Sequence, residues 1–164
     1  MQIALPLSEA LALAAAAGPL PPMLLAVRAD GATVEVDIDA GAALGEGGGL
    51  MGIMGKAAGT VTAAATFASF NAGTAVFTIT AHARGLSVGR LLGRAAGMIP
   101  QLAQKAGLPP DVAELRTSGP RGPELVVHVQ RAVDAKVSGV LVQDLVIRDA
   151  TAHVTAQVGD ARLV

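Results

Sequence analysis

From residue 32 to residue 39 the chain alternates without a fault. Val34, Val36 and Ile38 share one parity; Thr33, Glu35, Asp37 and Asp39 share the other. Successive side chains of an extended backbone point to opposite faces, so this pattern predicts a strand with one dry face and one wet one. A period of 3.6 would scatter both sets around a helix axis. The same alternation returns in residues 74–84, where Phe77, Ile79 and Ala81 oppose Thr78, Thr80 and His82. It returns again in 150–158, where Ala152, Val154, Ala156 and Val158 oppose Thr151, His153, Thr155 and Gln157. Strands with one wet face belong to antiparallel sheets.

The connections agree. Asp30-Gly31 joins a strand over 23–29 to the strand over 32–39, and Asn71-Ala72-Gly73 joins 60–70 to 74–84; such dipeptides tolerate positive φ. Residues 124–133, 137–148 and 150–158 read as three further strands, and 111–123 as a polar connector. Residues 2–7 read as a short strand or lead-in. Ser8 then looks like an N-cap, with Glu9 in the first turn of a short helix that Gly18-Pro19 ends. The long helix spans 87–106. Val88, Leu91, Leu92, Ala95, Ile99, Leu102 and Ala106 recur at helical spacing and make an apolar stripe. Pro100 is expected to kink or divide it. Gly85, Gly89, Gly93 and Gly97 recur every fourth residue, a row suited to close packing or to flexibility. The expected fold is α+β: a mostly antiparallel, strongly curved sheet around one long helix, with a short N-terminal helix, in a single domain over 1–164.

The strand pair 24–38 resembles the pair 144–158. Val27-Arg28-Ala29-Asp30-Gly31-Ala32-Thr33-Val34 is echoed by Ile147-Arg148-Asp149-Ala150-Thr151-Ala152. Duplication would explain the echo, and so would shared hairpin grammar, the more economical reading.

Composition narrows the function. Hydrophobic residues make up 52% and charged residues 15%, against about 45–50% and about 25% in ordinary soluble domains. Three Phe are the only aromatics, with no Tyr or Trp. The core is therefore built from Leu, Val, Ile, Met and Ala, whose small volumes either pack closely or leave a cavity. Net charge is −1, with neither a basic stripe nor stacking aromatics, which argues against nucleic acid as a partner. The lack of cysteine excludes disulfides, thiol catalysis and Cys-ligated zinc. Residues 1–17 are apolar but lack a basic start and contain Glu9, so they do not read as a secretory signal. No run of about 20 apolar residues offers a membrane span. The cytoplasm is the expected compartment.

No motif points to catalysis, a cofactor or a metal. His82, His128 and His153 each lie inside an expected strand without metal-site spacing. Asp37 and Asp39 share a strand face, as carboxylates for acid–base work would, but a solvated face requires the same residues. Gly55-Lys56 is followed by Ala57, so the glycine run before it is not a phosphate-binding loop. No serine has the context of a nucleophile elbow.

What remains is apolar. Residues 40–59 carry Gly47-Gly48-Gly49 followed by Leu50, Met51, Ile53 and Met54, and read as a mobile loop or a short loose helix with an adaptable apolar tip. Leu91, Leu92, Ile99 and Leu102 of the long helix would form a second wall facing the sheet. These eight residues are the candidate ligand contacts.

The two related strand pairs, with their Arg, acidic turn and Thr-Val alternation, and the helix over 86–106 resemble those of bacterial LmeA-like proteins, which are themselves similar to tubular lipid-binding proteins. The resemblance implies a long curled sheet wrapping a helix around an apolar tunnel. The function expected is non-catalytic binding or transfer of a lipid or other apolar small molecule in a cavity between sheet and helix, with transient membrane contact as a compatible step. The alternative is a structural module that self-associates into a homo-oligomer through its small apolar residues.

Overall fold

The computed structural model describes residues 1–17, 22–44, 59–82 and 88–164. The protein is α+β, and its strands pair antiparallel throughout both sheets. In chain order the elements are β1 (Gln2–Pro6), α1 (Leu7–Ala17), β2 (Leu24–Asp30), β3 (Thr33–Asp39), α2 (Ala40–Leu44), β4 (Thr60–Asn71) and β5 (Thr74–His82). These are followed by α3 (Val88–Lys105), β6 (Ala113–Gly119), β7 (Gly122–His128), α4 (Val129–Asp134), β8 (Val137–Arg148) and β9 (Thr151–Leu163).

The strands divide between two sheets instead of continuing through one. Six strands run in the order β2-β3-β4-β5-β7-β6, and three in the order β1-β9-β8. After β5 the chain passes through α3, enters the six-stranded sheet at its far edge as β6, and turns back as β7 beside β5. The two sheets meet along β4 and β8 and at their hairpin tips, where the Ala150 N–H donates to the Gly31 carbonyl at 2.7 Å.

Three hairpins share one construction, a two-residue turn closed by a pair that ends on threonine. The closing pairs are Asp30–Thr33, Asn71–Thr74 and Arg148–Thr151. Both turn residues have positive φ in two of them, Ala72 (47°) with Gly73 (78°) and Asp149 (51°) with Ala150 (52°), the geometry that matches strand twist. In the first, Gly31-Ala32 is the turn and Asp30 belongs to the closing pair. A third hairpin with the same grammar favours that grammar over duplication as the source of the echo.

Two expectations change. The connector over 111–123 contains the strand β6. It lies at a sheet edge with Glu114, Arg116, Thr117 and Ser118 exposed, so its polar outer side conceals the alternation; Leu115, opposite Leu125, shows it. The strand expected over 124–133 ends at His128, and Val129–Asp134 is a helical turn. Tertiary hydrogen bonds decide this: the Gln130 N–H donates to the Gly73 carbonyl at 3.0 Å, and Gln130 Nε2 donates to Asp134 Oδ1 at 2.7 Å, one turn on.

Helix starts are also set by context. Ser8 lies inside α1, not before it; the N–H of Leu7, the first helical residue, donates to the Ala150 carbonyl at 2.8 Å. Asp39 caps α2, accepting from the N–H groups of Gly41 (2.8 Å) and Ala42 (3.1 Å). The helix α3 runs through Pro100 as one element.

Candidate functional site

Strand register sorts the six-stranded sheet into two faces, because residues opposite one another across a ladder point the same way. One face is apolar in every cross-strand row. At one end Leu24, Ile38 and Val61 stand in line, followed by Val27, Val36, Ala63 and Ala81. The next row is Ala29, Val34, Ala65 and Ile79. Then come Phe67, Phe77, Leu125 and Leu115, and finally Phe70, Ala75, Val127 and Ala113. Phe67 and Phe77 meet edge to face, with centroids 5.7 Å apart at 76°.

The other face is polar across β2, β3 and β4, whereas at β7 it buries Val126 (3% exposed) and Glu124 (6%). Thr33 and Thr66 hydroxyls share a hydrogen bond of 2.9 Å. Arg28 donates to Asp37 from both terminal nitrogens, at 2.6 and 3.1 Å, and Thr62 Oγ1 donates to the same carboxylate at 2.9 Å. Hydrogen bonds from Arg28 and Thr62 hold the Asp37 carboxyl below the usual carboxylate range. Asp37 and Asp39 therefore have separate structural partners, an arginine for one and a helix start for the other.

On the apolar face only Val61 (4% exposed) and Ala75 (0%) are buried; every other residue in those five rows is half-buried. An apolar sheet face this broad is ordinarily a core. Among the described residues, Leu91 of α3 packs on Ala40 and Val61 at the first row, the same helix lies against β6 at the far edge, and β8 lies against β4. Of the expected helix contacts, Leu92 is buried, Ile99 is half-buried and Leu102 is 41% exposed. The helix brings Leu91 to the sheet and leaves Leu102 largely in solvent. Leu50, Met51, Ile53 and Met54 lie outside the described residues. The sheet was expected as one wall without its residues being named; Val34, Val36, Ile38, Phe77 and Ile79 share the apolar parity of their strands and stand on this face.

The glycine row of α3 has no close neighbour at the two positions described in detail. A Cβ at Gly93 or Gly97 would meet nothing within 4 Å. The histidines do not converge. His82 pairs with Thr62 at one end of β5, and His128 lies opposite Thr74 at the other, with Thr74 Oγ1 3.3 Å from His128 Nδ1. Eight residues of strand separate those ends, on the order of 25 Å. His153 is in the other sheet. Among the described residues no group of three His, Asp or Glu side chains could hold a metal ion, and no helix is long and apolar enough to cross a membrane.

The fold and site thus define an α+β protein of antiparallel sheets with a broad, half-buried apolar sheet face. No family model matches the chain, and neither a curated protein nor a solved structure does.

Proposed function

We infer that this chain binds a lipid or another apolar small molecule on the apolar face of its six-stranded sheet, without catalysing a reaction on it. One observation carries the reading: five successive cross-strand rows hold no polar side chain, yet nearly all of their residues keep part of their surface exposed. Burying apolar area stabilises a complex by about 25 cal/mol per Å², less the cost of ordering the ligand. An incompletely covered face is where that energy is still to be gained. Leu91, already seated on the first row, would be a neighbour of the ligand, and Leu92, Ile99 and Leu102 follow along the same helix. The resemblance to LmeA-like proteins implies the same class of ligand, and the cytoplasm is the compartment we expect.

Native mass spectrometry of the purified chain, with organic extraction, tests the reading. An apolar species of defined mass is expected to copurify, or a fluorescent fatty acid to bind saturably. A chain that carries no such species and leaves the fatty acid unbound overturns it.

Self-association is favoured by a different region. The end of the β8–β9 ribbon exposes Leu141 (52%), Val158 (46%) and Leu163 (88%). Light scattering across a range of concentrations separates the readings, since a strict monomer removes this one and leaves the first intact.

A further inference from the structure

The three-stranded sheet carries a second feature, on the side turned away from its buried residues. Val142, Leu145, Ile147 and Ala156 are buried on one parity. On the other, register places Asp144, Thr155 and Gln2 in one row, Val146, His153 and Ala4 in the next, and Arg148, Thr151 and Pro6 in the third. The middle row is low at Ala4, and the surface is hollowed into a depression of about 350 Å³ lined by Asp144, Arg148, His153, Gln2 and Thr155 among others.

The two charges in this hollow stay apart. Asp144 and Arg148 are four residues distant on one strand, so their Cα atoms are separated by roughly 13 Å, with Val146 between them. Standing off the sheet at that separation, the two side chains form no ion pair with each other. Among the described residues neither side chain enters an ion pair with any other group. Arg28 in the other sheet shows the contrast, with both Asp37 and Glu35 in reach. A hollow with a cation at one end, an anion at the other and an imidazole between them is complementary to the reverse arrangement of charge.

We propose that this depression binds a small zwitterion, its phosphate or carboxylate at Arg148 and His153 and its ammonium at Asp144. The planar guanidinium suits an oxyanion through paired hydrogen bonds. The imidazole supplies a further N–H, and the Gln2 and Thr155 side chains at the Asp144 end offer neutral acceptors for the ammonium. Both charges are solvated, so the affinity is modest, about millimolar. The site lies on a different sheet from the apolar face and does not depend on ligand binding there.

The presence of three histidines makes the test selective. The imidazole signals of the full chain are followed by NMR during titration with phosphoethanolamine, after assignment with His-to-Asn variants. The His153 signal is expected to move and saturate while those of His82 and His128 stay in place. Inorganic phosphate and ethylamine, each offering half of the charge pattern, are expected to bind about tenfold more weakly, and Asp144→Asn and Arg148→Gln each to weaken phosphoethanolamine about tenfold. Unchanged His82 and His128 signals in the variants verify that they fold. A His153 signal that does not move overturns the proposal. So does phosphate acting as strongly as phosphoethanolamine, or a titration indifferent to both variants. Vesicles of phosphatidylethanolamine in phosphatidylcholine distinguish the source: sedimentation with the native chain and not with Arg148→Gln marks a membrane headgroup, whereas binding of free phosphoethanolamine alone marks a soluble zwitterion.

Discussion

The two sheets hold themselves together by different means. The six-stranded sheet has four interior strands, and its wet face is satisfied from within: Arg28 by Asp37, Asp37 by Thr62, Thr33 by Thr66. The three-stranded sheet has one interior strand, β9, and its order is borrowed. The side-chain amide of Gln130 lies along the edge of β8, donating to the Val140 carbonyl and accepting from the Val142 N–H, both at 2.8 Å. One glutamine thus stands in for a missing peptide unit of a neighbouring strand. At the other end Ala150 is held between Gly31 and Leu7. Small sheets are marginal in water unless something packs against them. The smaller sheet is therefore expected to loosen before the larger.

The largest effect is expected where the two meet. Gly73 has φ 78°, and a Cβ there would stand 2.7 Å from the Cβ of Gln130. Gly73→Ala both strains the β4–β5 turn and pushes α4 away, at a cost of about 3 kcal/mol. Denaturant unfolding measures it; a variant as stable as the native chain would dissolve the link between Gln130 and the hairpin. Gln130→Ala acts on one side of the same junction. It leaves Val140 and Val142 with unpaired backbone groups and is expected to cost about 2 kcal/mol. Amide exchange tells where: Val142 should exchange faster while Val36 and Ile79 are unaffected. Equal acceleration in both sheets would show that they unfold as a unit.

The same contrast explains what could be read in advance. The larger sheet was legible because its dry and wet residues alternate inside each strand, as in Val34-Glu35-Val36-Asp37-Ile38. The long helix and the β8–β9 hairpin were legible for similar reasons, periodicity in one and a turn flanked by strands in the other. What escaped depends on partners distant in sequence. β6 is an edge whose polar side dominates, and residues 129–134 would pass for a strand were Gln130 not bound to Gly73, 57 residues earlier. Asp37 and Asp39 look equivalent until Arg28 takes one and the start of α2 the other. The division into two sheets has no local signature at all, since the β8–β9 hairpin is built like the β2–β3 and β4–β5 hairpins. The candidate site was half legible. Parity marked the sheet face, but no pattern in the helix revealed that Leu91 would reach it and Leu102 would not.

A smaller change should widen the gap between the two regions from the other direction. Gly93 and Gly97 lie in α3, which packs against the six-stranded sheet, and both face open space. Replacing each by Ala is expected to stabilise the helix by about 1 kcal/mol, because no contact opposes the gain in helix propensity. A rise in the unfolding midpoint checks this. A fall would mean that another backbone approaches the glycine row in solution, which is what close packing of a second copy would require.

The smallest effect distinguishes the wet faces by their response to acid. The Asp37 carboxyl is held below the usual carboxylate range by hydrogen bonds from Arg28 and Thr62. A carboxylate whose value is lower in the folded chain than in the unfolded one adds stability at neutral pH, and that stability is lost as pH falls through the carboxylate range to the folded value. Arg28 is half-exposed, with 52% of its side-chain surface accessible, so water and salt screen the pair and its share is modest. Asp37→Asn should therefore be slightly less stable than the native chain at neutral pH, and the two should converge on acidification. Added salt should narrow the difference at neutral pH. Asp144 in the smaller sheet has no ion-pair partner among the described residues, and added salt should leave the stability difference between Asp144→Asn and the native chain unchanged. If added salt narrowed the Asp144→Asn difference as much as the Asp37→Asn one, the outer face of the smaller sheet would contain an ion pair of its own. The contrast between a self-satisfied sheet and a borrowed one would then not extend to their charges.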